Sequence, residues 1–183
     1  GISFSAQNQE RESQGATVSY PNMFRETYTS KQQLWSAFLK GVRKLNTAGF
    51  FETGLRVNYM HHELNVLSVN QFYIDIVGPN VNGTVDGLLW QPYLSWSQVV
   101  GKFNFGAGLR YVYFTYNGAS SIEPRLNIAR TWNSNTVTLA YSLSSQTQQT
   151  QNYLSANNSG LAFTKSNQFS LEWRKRLPGD LNI

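Results

Sequence analysis

The sequence predicts an all-β fold: an antiparallel transmembrane β-barrel of the outer-membrane kind, present as an incomplete segment of about eight to nine strands. One observation behind this fold class is a two-residue period, in which aromatic and aliphatic residues alternate with charged or very small ones. The other is that the periodic segments are long and are joined alternately by short and long connections. A lumen on one face of the sheet and lipid on the other would account for both.

The clearest strand lies between Lys102 and Tyr116. Its odd positions are apolar or aromatic from Phe103 to Tyr113, whereas its even positions include a lysine, an asparagine, two glycines and Arg110. The same period occurs in residues 51–59 and 169–174. We therefore expect the odd positions of these strands to face lipid and the even positions to face the lumen.

In chain order, the pattern predicts nine strands near residues 1–6, 30–45, 49–60, 87–99, 102–117, 121–131, 135–146 and 165–177, with a stub from 180. Strand 30–45 alternates poorly, because Phe38 and Val42 share a register with Lys40 and Lys44. Pro92 cannot donate to a ladder, so a bulge is expected beside it.

The predicted connections are of two kinds. Those at 46–48, 100–101, 133–134 and 178–180 are short, whereas those at 7–29, 61–86 and 147–164 are long, and 117–120 is a short exception on the long side. In outer-membrane barrels the short turns are periplasmic and the long loops extracellular. The sequence therefore also predicts an orientation.

Composition fits a membrane barrel without requiring one. The chain has 183 residues, of which 14% are charged and 14% aromatic, and it has no cysteine, which excludes disulfides and thiolate chemistry. No segment approaches the roughly 20 consecutive apolar residues of a membrane helix. No linker divides residues 1–183, and the pattern runs into both ends, so we expect a single domain that is part of a larger barrel.

Several motifs carry a resemblance to a known family. They are a Gly-Leu-Arg strand before Tyr116-Asn117-Gly118, the Glu-Pro-Arg-Leu start at 123–126, Ala-Tyr-Ser-Leu-Ser-Ser-Gln at 140–146 with its Gln-rich loop, and Thr-Lys-Ser at 164–166. In this order and spacing they resemble the carboxy-terminal part of the barrel in TonB-dependent outer-membrane receptors. The hairpin at 29–59 fits the same pattern, so the resemblance covers most of residues 30–183.

The resemblance implies energised nutrient uptake across a bacterial outer membrane, without a cofactor. Implied partners are outer-membrane lipid, the rest of the barrel, a plug domain, and the TonB energy-coupling protein acting through that plug. A surface lipoprotein would be a further partner of this kind. The plug and its energy-coupling box do not occur in residues 1–183, so this segment alone would not transport actively.

Seven charged side chains are predicted to face the lumen: Glu52, Arg56, Arg110, Glu123, Arg125, Glu172 and Arg174. One interpretation is a set of compensating charges that keeps the lumen wet and contacts the plug, because charge on the lipid face costs about 2–4 kcal/mol at the midplane. The other is that some of them contact substrate. The sequence leaves both open.

His61 and His62 are the only histidines and weak metal-ligand candidates, since neighbours on a strand point to opposite faces. No hydrolase, phosphate-binding or metalloprotease motif occurs, so we expect a non-enzyme. The basic residues are scattered, which argues against nucleic-acid binding. Two alternatives remain: a small complete outer-membrane barrel serving as an adhesin or structural protein, and a soluble all-β binding module.

Overall fold

The computed structural model describes residues 2–19, 24–70, 81–154 and 160–176. Its strands are β1 (Ile2–Ser19), β2 (Phe24–Asn46), β3 (Gly49–Asn70), β4 (Val81–Val100), β5 (Phe103–Phe114), β6 (Ser120–Trp132), β7 (Asn135–Gln146) and β8 (Thr164–Lys175), with the helix α1 (Thr150–Leu154) between the last two. They form one eight-stranded sheet in sequence order, antiparallel throughout. The predicted all-β, antiparallel fold class is confirmed.

One end of the sheet is made of tight turns. The β2–β3, β4–β5 and β6–β7 connections occupy residues 47–48, 101–102 and 133–134. Gly101 and Asn133 adopt φ values of +59° and +49° there, a region that glycine and asparagine tolerate better than other residues. The predicted short turns are therefore confirmed at these three places, whereas the turn predicted at 178–180 and the stub after it lie outside the described residues.

The predicted long connections at 7–29 and 61–86 are wrong. β1 and β2 pair from Ile2↔Gly41 to Ser19↔Phe24, and β3 and β4 continue to Asn70 and from Val81. The alternation of apolar outer and polar inner residues ends near residue 60, where His61 and Glu63 lie on the outer face and Val66 is buried on the inner face. Backbone pairing does not need that alternation. The predicted loop at 147–164 is found in its described parts, with α1 inside it.

The bulge predicted beside Pro92 is also wrong. Pairs Trp90↔Tyr113 and Tyr93↔Arg110 have the same register, and only the two pairs between them are missing from the ladder. A proline on this strand thus removes hydrogen bonds without inserting a residue. The register shift of the sheet lies instead between Lys44 and Asn46, next to the β2–β3 turn.

The two faces of the sheet differ in character. One face, here called the outer face, exposes large apolar side chains in a band across β2 to β8, among them Leu39, Leu94, Leu109, Leu139 and Leu171. At the end away from the tight turns this apolar band gives way to polar side chains on the same face, namely His61, Glu63 and Asp86. From Gly49 to Tyr59 this band spans β3 over about the 9–11 residues that a tilted strand needs to cross hydrocarbon.

The other face, here called the inner face, carries the charges described below and also Phe38. That aromatic stacks on Tyr93 of β4, with ring centroids 6.2 Å apart and planes 4° apart. Strand 30–45 alternates poorly in the sequence because this inward residue is apolar. Among the described residues no helix has the length and apolar character for a membrane crossing.

The buried hydrophobic cluster lies on the inner face, at the end opposite the tight turns. Tyr153 and Phe163, from the connection between β7 and β8, pack on Val85, Val112 and Phe114. The described parts of this connection, residues 147–154 and 160–163, are called the rim loop below. Gly83 permits the close approach of α1, since a Cβ there would lie 2.8 Å from Leu154 Cδ2. The rim loop is thus folded onto the wall.

Candidate functional site

The inner face holds a cavity of 340 Å³ that is lined by both charged and apolar side chains. β-strand pairing brings its side chains together in adjacent rows, because Arg56 lies opposite Gln91, Arg110 opposite Glu123, and Arg125 opposite Gly108. Four of the seven charged residues singled out in the sequence line this cavity: Glu52, Arg56, Arg110 and Arg125. Their role in plug or substrate contact stays a prediction.

Glu123 lies beneath the cavity and its side chain is fully buried. Arg110 binds one carboxylate oxygen, Oε2, with its Nε donating at 2.7 Å and its Nη2 at 2.5 Å. Ser145 of β7 donates to the other oxygen, Oε1, through its backbone N–H at 2.7 Å and its hydroxyl at 2.5 Å. The buried charge is therefore held by four donors, as a buried carboxylate requires.

The β6–β7 ladder stops short of Glu123, and a backbone amide of β7 binds this carboxylate there instead. Pairs between β6 and β7 run from Arg125↔Ser142 to Trp132↔Asn135, so residues 120–124 of β6 have no β7 partner in the described ladder. Pro124 has no N–H to offer. Glu123 substitutes for the ladder by accepting the Ser145 N–H.

Glu52 forms a second ionic group at the cavity wall. Lys40 Nζ lies 2.6 Å from its Oε2, and the Tyr93 hydroxyl donates to its Oε1 at 2.9 Å. Arg56 does not join this pair but lies over the Phe38 ring, 5.5 Å from guanidinium carbon to centroid. The sequence had signalled Lys40 and Phe38 only as breaks in alternation, and it gave no sign of Tyr93.

Glu172 and Arg174 lie away from the cavity, on β8. They pair with each other, Arg174 Nη2 donating to Glu172 Oε1 at 2.7 Å, and both side chains are more than half exposed. This is an ion pair between residues two apart on one strand, and such exposed pairs contribute little to stability. The structure therefore does not bring these two residues together with the other five.

The two histidines point to opposite faces. His61 is on the outer face, 3.3 Å from Asp86 and 3.4 Å from Glu63, while His62 is on the inner face with Ser30 at 2.7 Å and Gln32 at 3.0 Å. The expectation that they cannot chelate one ion together therefore agrees with the geometry. Within the described ranges, no group of three or more His, Asp or Glu side chains could hold a metal.

His62 and Tyr153 connect the rim loop to the wall beyond the apolar band. The Thr150 hydroxyl of α1 contacts His62 Nδ1. Burial, and then the nearby His61, lowers the pKa of His62 below its usual value. Burial raises the pKa of Tyr153, whose hydroxyl accepts a hydrogen bond from the Gln148 N–H at 3.0 Å. Burial thus favours the neutral form of both side chains at the rim.

A single antiparallel meander with an apolar outer face and a charged inner face defines the wall of a β-barrel. Comparison with solved structures supports this class. The fold is similar to that of the ferric citrate transporter FecA in its unliganded form, with a TM-score of 0.62 and 13% sequence identity. The match covers 97% of this chain and 30% of that one, so the chain spans less than a third of the transporter's length.

Sequence comparisons add nothing to this structural likeness. No protein-family model matches the chain, and no curated protein matches it. The likeness to the transporter therefore concerns the fold alone. It supports a barrel of the kind found in a transporter.

Proposed function

We propose that this chain forms part of the barrel wall of a TonB-dependent outer-membrane receptor that takes up a nutrient, and that it is not an enzyme. The observation that carries the proposal is the match of nearly the whole chain to part of the ferric citrate transporter barrel. The transporter fold alone does not indicate where the protein resides. The polarity of the two faces supports a location in a membrane.

The outer face is suited to lipid rather than water. Phe169, Leu171 and Trp173 alternate along β8 with exposed fractions of 78%, 75% and 62%. Contiguous apolar surface of this kind is unusual on a soluble protein unless a partner covers it. Charged residues appear on the same face only at the ends of the band, where headgroups and water would meet it. This pattern favours a membrane barrel over a soluble binding module.

The sheet order favours a large barrel over a small closed one. β1 and β8 are its edges, and no pairing joins them among the described residues. An unpaired edge in hydrocarbon would leave a row of unsatisfied amides and carbonyls, each of which costs several kcal/mol. We infer that further strands of the same barrel pair with both edges. The wide lumen that results would hold a plug domain against the inner face, and TonB would act through that plug.

The test is the orientation of the barrel in intact bacteria. In the full-length protein, Gly160→Cys in the rim loop and Lys102→Cys in a tight turn each add one exposed thiol to a segment, residues 1–183, that has no cysteine of its own. Gly160 has open space around the position of a Cβ, so the first substitution fits. An impermeant maleimide should label residue 160 on intact cells and residue 102 only after lysis.

The reverse labelling pattern, or equal labelling of both positions on intact cells, would contradict the orientation. Extraction of the protein from cells without detergent would contradict a membrane barrel altogether. Transport is tested separately: uptake should stop when the energy-coupling protein is deleted, while the labelling pattern stays the same. Uptake that persists would leave a barrel but exclude TonB dependence.

A further inference from the structure

The inner-face cavity and its hydrogen-bonded surroundings carry more positive than negative charge. Four cations face two carboxylates, which leaves a surplus of two positive charges; the six residues are Lys40, Arg56, Arg110, Arg125, Glu52 and Glu123. A concave surface lined by one sign of charge concentrates ligands of the opposite sign. The cavity is therefore biased toward anions.

The two carboxylates are already neutralised by their own partners. Each oxygen of Glu123 is occupied, one by Arg110 and the other by Ser145, and Glu52 is bound by Lys40 and Tyr93. Neither carboxylate accepts a hydrogen bond from Arg56 or Arg125 among the described residues.

Arg56 and Arg125 carry the surplus charge. Arg125 reaches Glu123 only at 3.9 Å, near the limit of an ion pair. In the part of the chain that the structure describes, no carboxylate lies within ion-pair distance of Arg56. Both guanidinium groups therefore have donors to offer to a ligand.

Arg56 is also held in place before any ligand arrives. Its guanidinium lies over Phe38, and Phe38 stacks on Tyr93. The Tyr93 ring in turn covers Gly54, where a Cβ would lie only 2.4 Å from Tyr93 Cε1. This stack fixes an arginine that would otherwise lose rotamer entropy on binding, which is the usual benefit of preorganisation.

We propose that this cavity binds a small anion with two or more carboxylate or phosphate groups and a flat apolar part. Guanidinium groups match both anions through paired N–H donors. The Phe38–Tyr93 stack supplies a flat apolar wall, and 340 Å³ lies in the range of about 300–1,000 Å³ for small-molecule sites. The proposal rests on the proposed function, because a solute reaches this face through the barrel lumen.

The test measures binding of benzene-1,3,5-tricarboxylate to the purified full-length protein in detergent by titration calorimetry. Its neutral triamide, with the same ring, is the control ligand. Arg56→Gln and Arg125→Gln should each weaken tricarboxylate binding at least about tenfold, which is about 1.4 kcal/mol, because each removes a hydrogen bond between charged groups. Lys102→Gln removes one positive charge from an exposed turn outside the cavity, and it should leave binding unchanged.

A second variant tests the volume of the site without changing its charge. Gly108 lines the cavity, and a Cβ there would meet no atom closer than 3.5 Å. Gly108→Val should extend its methyl groups from that open position into the cavity and weaken binding. Retention of the heat-modifiable folded band on gels would show that each variant is assembled.

No binding by the wild type would overturn the anion site, including the case in which a carboxylate of another part of the polypeptide already fills it. Equal weakening by Lys102→Gln and Arg56→Gln, or equal binding of the triamide, would overturn it too, since binding would then not depend on these donors. If any of these three results occurs together with the expected cysteine labelling, the anion site is refuted and the barrel proposal stands.

Discussion

Replacement of Glu123 by glutamine should destabilise the barrel more than any other single change of charge at the inner face. The carboxylate is fully buried and is held by two donors from Arg110 and two from Ser145. A glutamine of the same shape turns an amide N–H₂ toward one of these donor pairs and leaves the Arg110 charge without its partner.

The expected loss follows from the burial of the pair. Removing one member of a buried ion pair costs about 3–5 kcal/mol, and the low end applies here because the Arg110 side chain keeps 28% of its exposure. We therefore expect Glu123→Gln to lower the free energy of unfolding by about 3 kcal/mol. The control is Glu172→Gln, which breaks an exposed pair with Arg174 and should cost less than about 1 kcal/mol.

The measurement is urea unfolding of the full-length protein refolded in detergent, followed by tryptophan fluorescence. A double-mutant cycle with Arg110→Gln isolates the pair, and its coupling energy should exceed about 1 kcal/mol, as for residues that share one hydrogen-bonded network. A loss for Glu123→Gln no larger than that for Glu172→Gln would refute the reasoning. A coupling energy near zero would show that Ser145 alone accounts for the effect.

Three further predictions concern the outer face, the glycines and the rim. Leu109→Arg should block assembly, because a cation near the midplane costs about 2–4 kcal/mol; loss of the heat-modifiable band is the readout. Gly54→Ala should lower the unfolding free energy by about 1–3 kcal/mol through a clash with Tyr93 and the β2 backbone, while Gly108→Ala, whose Cβ fits, should not. His62 has a lowered pKa, so its stabilisation of the docked rim loop is present above about pH 6.5 and lost as pH falls below it. Proteolysis of the loop should therefore rise at pH 5 in the wild type, and this pH dependence should be absent in His62→Gln.

The strands within the apolar band could be predicted from the sequence because lipid on one face imposes a strict alternation. β7 was predicted with its observed bounds, residues 135–146, and β6 to within a residue at each end. Beyond the band the pattern changes, because His61, Glu63 and Asp86 lie on the outer face whereas Val66 and Val85 are buried on the inner face. The extension of β3 beyond Met60 and that of β4 before Gly87 were therefore taken for a loop.

The candidate site could be predicted only in part, for a related reason. Parity along a strand indicates the face of a side chain but not which residues meet across strands, because that depends on register. Arg110 and Glu123 are directly opposite each other, whereas Glu172 is two strands beyond Glu123 and pairs within its own strand. Tyr93 can line the cavity only because Gly54, opposite it on β3, has no side chain to occupy the space of its ring. The alternation of residues along a strand does not reveal this kind of contact.

The two interruptions of the ladder, at Pro92 between β4 and β5 and at Pro124 between β6 and β7, lie on opposite sides of the same pair of strands. β5 and β6 thus form a panel that is joined less continuously to its neighbours than the strands on either side. Over this stretch the panel is fastened by side chains, namely Arg110 to Gln91 and Glu123 to Ser145. A change of contact at either place would exchange a few side-chain hydrogen bonds and leave the remaining ladders of β5 with β4 and of β6 with β7 in register. The cavity lies against this panel, since Arg110 of β5 and Arg125 of β6 line it, so these side-chain contacts help to set its shape.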